Sequence, residues 1–212
     1  MTLSIFIQGF NMRKNKTILA ILGCSLLALS SCANYKASSL NSLSTEVMHS
    51  QETSEAVLVS AKAFTKQDCK TYLDRDVIAK GYQPVQIYIQ NNSSNNYIFS
   101  LSRVDINCAK YEAVAEKVHT STLGRATAYG VGALFLWPLA IPAVVDGIKS
   151  SEANQSLDID FEQKSARDQI IGQHSSFNKL LFVPINEFKS KFKITLIDQA
   201  SNTPKVVDVI AY

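Results

Sequence analysis

From Ala126 to Val145 the chain runs through twenty consecutive uncharged residues, ATAYGVGALFLWPLAIPAVV, bounded by Arg125 and Asp146. As one helix this run would be about 30 Å long, enough to cross the hydrocarbon core of a bilayer. A single crossing would put the strands predicted before residue 105 and those predicted after residue 178 on opposite sides of a membrane. Two or three strands do not bury a core by themselves, so neither group would fold well alone. Pro138 and Pro142 also remove helical hydrogen bonds and kink or break a helix in its interior. The sequence therefore predicts a helix, an apolar bend, and a second helix from roughly Gly147 to Asp168 that returns the chain to the strands. Ala126 and Gly130, and likewise Ala128 and Gly132, stand four apart and form a small-residue ridge that another helix backbone could approach closely. Three readings stay open. The run, with Trp137, packs against the sheet; or Gly130, Gly132, Phe135, Trp137, Pro138 and Pro142 contact a membrane, a partner or a second copy; or the run spans.

The flanks are rich in strand signals. Ala56 to Phe64 alternates with period two, and Gln67 to Lys80 reads as a short helix or helical turn ending at Gly81. Tyr82 to Gln90 places Val85, Ile87 and Ile89 on one face. Asn91 to Asn96 (NNSSNN) has turn composition, and Tyr97 to Val104 follows as the second arm of an expected hairpin. Pro84 falls near the first arm's start, where a missing donor does least harm. Tyr111, Val114, Ala115 and Val118 recur at helical spacing, which predicts an amphipathic helix from Ala109 to about Leu123. Lys179–Ile185, Lys191–Asp198 and Lys205–Ala211 read as three further strands, the last two joined through Gln199–Pro204. Six strands in two groups predict a mainly β (α+β) fold, a small immunoglobulin-like sandwich carrying a helical insertion at about 109–168.

The N-terminus has a different character. Arg13, Lys14 and Lys16 precede the uncharged stretch Thr17–Leu29, followed by small residues, which is signal-peptide anatomy; Met12, immediately before the basic cluster, is the expected start. The uncharged stretch would reach only about 20 Å as a helix, short for a permanent anchor. Leu29-Ser30-Ser31-Cys32 then resembles the lipobox of bacterial lipoproteins, a likeness confined to residues 12 to about 33. It implies removal of residues 1–31, a diacylglyceryl thioether on Cys32 and acylation of the new amino terminus. At about 0.8 kcal/mol per buried methylene, several acyl chains give stable anchoring. Ala33 stands where inner-membrane lipoproteins of two-membrane bacteria carry aspartate, so the likeness favours the outer membrane. Residues 32–54, rich in Ser, Asn, Thr and Glu, read as a flexible tether to one domain over 55–212.

Signals for chemistry are sparse. Cys69 and Cys108 survive maturation, and an oxidising envelope could join them. Used instead as a nucleophile, neither has a local signature with His119 or His174. His49, His119 and His174 lack metal-like spacing. Asp158, Asp160 and Glu162 alternate without the glycine and distal glutamate of a calcium loop, and read as a solvated helix face. Asp74, Arg75 and Asp76 read as an exposed turn. The glycines at 130 and 132 do not extend to GxGxxG because Phe135 occupies the third place, and GxxxxGK[ST], GxSxG and HExxH do not occur. The formal charge of +3 falls to near neutral without the signal's basic residues, so no nucleic-acid patch is expected. The expectation is a non-enzymatic envelope binding or assembly module, with no catalytic or metal residues and no cofactor besides the lipid on Cys32; the alternatives are a lipoprotein that inserts in a membrane or oligomerises through residues 126–145, and an envelope enzyme whose site is assembled from scattered residues. Its partners would be membrane lipid through that anchor and an envelope protein.

Overall fold

A computed structural model of the chain describes residues 34–43, 56–120 and 140–212, with side chains from Ser150 onward in the last stretch. Contacts divide the chain into two units, residues 1–33 with 122–150 and residues 34–121 with 151–212. Of the first unit, the described part is the opening of one helix. Cys32, Gly130, Gly132, Phe135, Trp137 and Pro138 lie outside the described residues.

The second unit is mainly β, with two antiparallel sheets and a few helices. Its strands are β1 (Val57–Ala63), β2 (Tyr82–Asn91), β3 (Tyr97–Phe99), β4 (Gln169–Ile171), β5 (Ser175–Pro184), β6 (Lys191–Asp198) and β7 (Pro204–Ile210). One sheet has the order β1-β2-β5, the other β4-β3-β6-β7. Alternation along the strands aims one face of each sheet at a common core. Val85, Ile87 and Ile89 of β2 meet Phe99 of β3, Phe177 of β5, Ile194 and Leu196 of β6, and Val207 and Val209 of β7 in one cluster. The Phe99 and Phe177 rings, from opposite sheets, lie 4.7 Å apart. Beside β1, Ala61 bridges Ala211 in parallel, with the Ala63 N–H donating to the Tyr212 carbonyl.

The helices are α1 (Lys66–Leu73), α2 (Tyr111–Val118) and α3 (Ala140–Lys164). Thr65 caps α1 in a capping box with Asp68. A second cluster joins Cys69 and Leu73 of α1, Val114, Ala115 and Val118 of α2, and Leu157 and Phe161 of α3 to the outward-facing Tyr82, Leu180 and Phe182 of the three-stranded sheet. Phe161 stacks on Phe182 at 5.4 Å. β2 and β5 are thus covered on both faces, which accounts for their nearly continuous apolar runs.

Several expectations are corrected. The arms Tyr82–Gln90 and Tyr97–Val104 do not form a hairpin: β2 pairs with β1 and β5, while β3 pairs with β4 and β6. Asn91 is the reason. Its fully buried side chain donates to the carbonyls of Asn95 and Gly172 and accepts from the N–H and hydroxyl of Ser93, turning the chain out of one sheet and into the other. A seventh strand, β4, has only three residues and was hidden beyond the expected helix end. α3 starts at Ala140 rather than near Gly147, because Pro142 sits in its first turn, where an absent N–H breaks no bond. It stops at Lys164: the Ser165 N–H still donates back to the Phe161 carbonyl, but the Ala166 N–H turns to the Leu180 carbonyl of β5.

Residues 126–139, the greater part of the uncharged run, lie outside the described residues. Each sheet pairs strands from before that run with strands from after it, so the two groups share one core. No helix among the described residues is long and apolar enough to cross a membrane.

Candidate functional site

Residues 34–43 do not run free of the domain, as a flexible tether would. They lie as an extended strap over the helix-covered face. The Tyr35 hydroxyl donates to Asp160 of α3, and the Arg75 guanidinium lies 5.3 Å from the centre of the Tyr35 ring. The Lys36 N–H donates to the Asp74 carboxylate and the Ser38 N–H to the Thr71 carbonyl at the end of α1. Farther along, the Asn41 carbonyl accepts from the Gln86 amide in the middle of β2, which also reaches Asn178 of β5. Burial, then the Asp160 carboxylate, push the Tyr35 phenol well above its usual range, so it stays a donor. Asp160 also holds Lys164, whose ammonium, on a residue only 7% exposed, donates as well to the Tyr72 carbonyl. Asp160 is therefore a structural junction rather than part of a solvated face.

Asp74 and Arg75, expected as an exposed turn, pair with each other at 2.9 Å and receive the strap. Asp158 meets His119 at 2.6 Å, and Asn154 exchanges hydrogen bonds with the backbone of Thr120 in both directions. These contacts close a neck where the chain leaves the unit after α2 and re-enters it along α3. His174 sits in a turn with φ of 50°, far from His119 in role and element.

Cys69 and Cys108 are not bridged; both are free thiols. The physical reason is that they belong to different layers. Cys69 is buried in the helix cluster, and Cys108 packs against the core between the sheets. Burial pushes both thiols up to about 12, which makes them poor nucleophiles at neutral pH.

An open cleft of about 750 Å³ lies between the segment after β3 and the turn after β5, lined by residues that include Asp105, Asn107, Cys108, Asn186, Glu187 and Lys189. Among the described residues no group of three His, Cys, Asp or Glu could hold a metal ion.

The outer face of the four-stranded sheet is the remaining large feature. Ile170 of β4, Ile98 of β3, Ile197 of β6 and Pro204 of β7 lie directly opposite one another, one from each strand. Ile197 is buried within the row, while Ile170 is 53% exposed and Val206, the next outward residue on β7, is 49% exposed. The Lys193–Asp208 pair and Thr195 border the row. Sequence reading missed this alignment because it depends on β4 and on the pairing of β3 with β6. The strap was missed too; its signal was a few apolar residues, of which Tyr35 and Leu40 pack on the helix cluster, in a largely polar stretch.

Comparison of the chain with protein-family models, with curated proteins and with solved structures finds no match.

Proposed function

We propose that this chain is an envelope lipoprotein anchored through Cys32, favouring the outer membrane, whose domain is a non-enzymatic binding or assembly module. The observation that carries the binding role is the cross-strand row Ile170–Ile98–Ile197–Pro204 with Val206 beside it. The inner faces of the two sheets cover each other, and helices cover the outer face of the three-stranded sheet. The outer face of the four-stranded sheet keeps a bordered apolar row in solvent, a pattern typical of protein contact sites.

The domain is an immunoglobulin-like sandwich in which one strand has changed sheets. Constant-type immunoglobulin domains place strands one, two, five and four in one sheet and three, six and seven in the other. The order β1-β2-β5 with β4-β3-β6-β7 differs only by moving the fourth strand beside the third, which supports this reading. The helical segment from α2 to α3 is then an insertion between strands three and four.

Two experiments test the proposal. Incorporation of a labelled palmitate analogue, lost in Cys32→Ser, is expected for the anchor. A photo-crosslinking residue at position 206 is expected to trap an envelope protein, and Ile170→Asp to abolish that adduct without lowering the melting temperature. A trapped species indifferent to Ile170→Asp would refute the role given to this face.

A further inference from the structure

The strap begins at Asn34, two residues after Cys32, and Tyr35 is fixed to the domain through Asp160 and Arg75. Three residues of chain span at most about 11 Å. Had residues 32–54 been a free coil, the r.m.s. separation of lipid and domain would be roughly 25–30 Å, with full extension far beyond that. Docking the strap removes this freedom. Whatever holds Cys32 also holds the end of the domain where Tyr35 is bound.

Which end this is follows from the contacts. Arg75, over the Tyr35 ring, is followed by Asp76 and Val77, and the Tyr82 N–H at the start of β2 donates to the Val77 carbonyl. Lys117, in the last turn of α2, lies 4.7 Å from the centre of the Tyr82 ring, so the Thr120–Asn154 neck stands at this end too. From there the strap runs toward the middle of β2, where Asn41 meets Gln86. The Asn91–Asn96 turn lies at the other end of β2, about 30 Å away for a strand of this length. The exposed Asp76 marks the near end, and the exposed Ser94 the far one.

We infer that residues 34–43 act as a docking strap that seats the Tyr82 end of the domain, with Asp74–Asp76 and the Thr120–Asn154 neck, directly on the lipid headgroups. This rests on the lipid-anchored reading of Cys32. The partner of this surface is the bilayer interface itself, and the strands stand away from it with the Asn91–Asn96 turn outermost.

The test uses the full acylated chain in vesicles of phosphatidylethanolamine and phosphatidylglycerol, with a photo-reactive diazirine side chain at position 76 or at position 94. Lipid adducts are expected several-fold more often at 76 than at 94. Tyr35→Ala, which frees the strap but leaves Cys32 untouched, is expected to bring the two yields together. Equal yields in the parent protein, or a difference that survives Tyr35→Ala, would overturn the proposal. Intact mass of the same samples separates the two levels: absence of acyl groups removes the anchored reading and the proposal with it, whereas an acylated protein with equal yields removes the proposal alone.

Discussion

Replacing Tyr35 by Phe deletes one hydroxyl and leaves the ring over Arg75. The lost contact is a hydrogen bond to a charged acceptor, a class worth about 1.5–3 kcal/mol net. Asp160 retains Lys164, and its side chain is 24% exposed, so water can take the vacated place; the lower end, about 1.5 kcal/mol, is therefore expected. Such a loss raises the population of strap-open molecules about tenfold. Native-state hydrogen exchange reads this directly. The Lys36 and Ser38 amides, bonded to Asp74 and Thr71, should exchange about tenfold faster, while amides within β2 keep their rates. Unchanged exchange at both positions would refute the claim that Tyr35 fastens the strap. Equal acceleration throughout β2 would show instead that strap and domain open as one unit. Asp160→Ala is a different perturbation, because it leaves the buried Lys164 ammonium with the Tyr72 carbonyl alone. About 3 kcal/mol of global stability should go with it, visible as a lower denaturant midpoint.

Phe99→Ala empties the centre of the core between the sheets and should cost about 3–5 kcal/mol in urea unfolding. Thr65→Ala removes the α1 cap and should cost about 1 kcal/mol. Reductant should leave the melting temperature unchanged, and alkylation of Cys69 and Cys108 at neutral pH should be slow until denaturant is added. Burial alone would raise the Asp68 carboxyl, but its bonds to Lys62 and Thr65 outweigh that and hold it below the usual range; at Asp198 the Ser201 N–H leads, with Ala200 and Asn95 adding to it. Both contributions are complete above the unfolded carboxyl's pKa of about 3.9 and are lost as pH falls through the lower folded values, so the urea midpoint should decline in that acid window.

The strand positions were legible wherever a period-two pattern faced one core, as in β1, β6 and β7. Pairing was not. Asn91 to Asn96 has the composition of a hairpin turn, and only the burial of the Asn91 side chain reveals that the chain changes sheets there. Pro142 reads in the sequence as a breaker because its effect on a helix depends on where that helix begins. The strap was illegible for a third reason. Its bonds run from backbone groups and the side chains of Tyr35 and Asn41 to residues far along the chain, and polar composition does not distinguish a docked strand from a free one. Of the candidate site, Ile98 was assigned to a strand, but its alignment with Ile170 and Ile197 exists only after three separate segments have paired.

Thr120 and Asn154, bonded to each other in both directions, make residues 121–150 a closed detour from the standpoint of the domain. Closing such a detour costs free energy that grows only with the logarithm of its length, so its extent is nearly immaterial to the stability of the sheets. Exchanging residues 122–150 for a short Gly-Ser linker should accordingly leave the domain's melting temperature close to the parent's. Both ends of that stretch are thus held at one point of the domain, by the amide of a single asparagine.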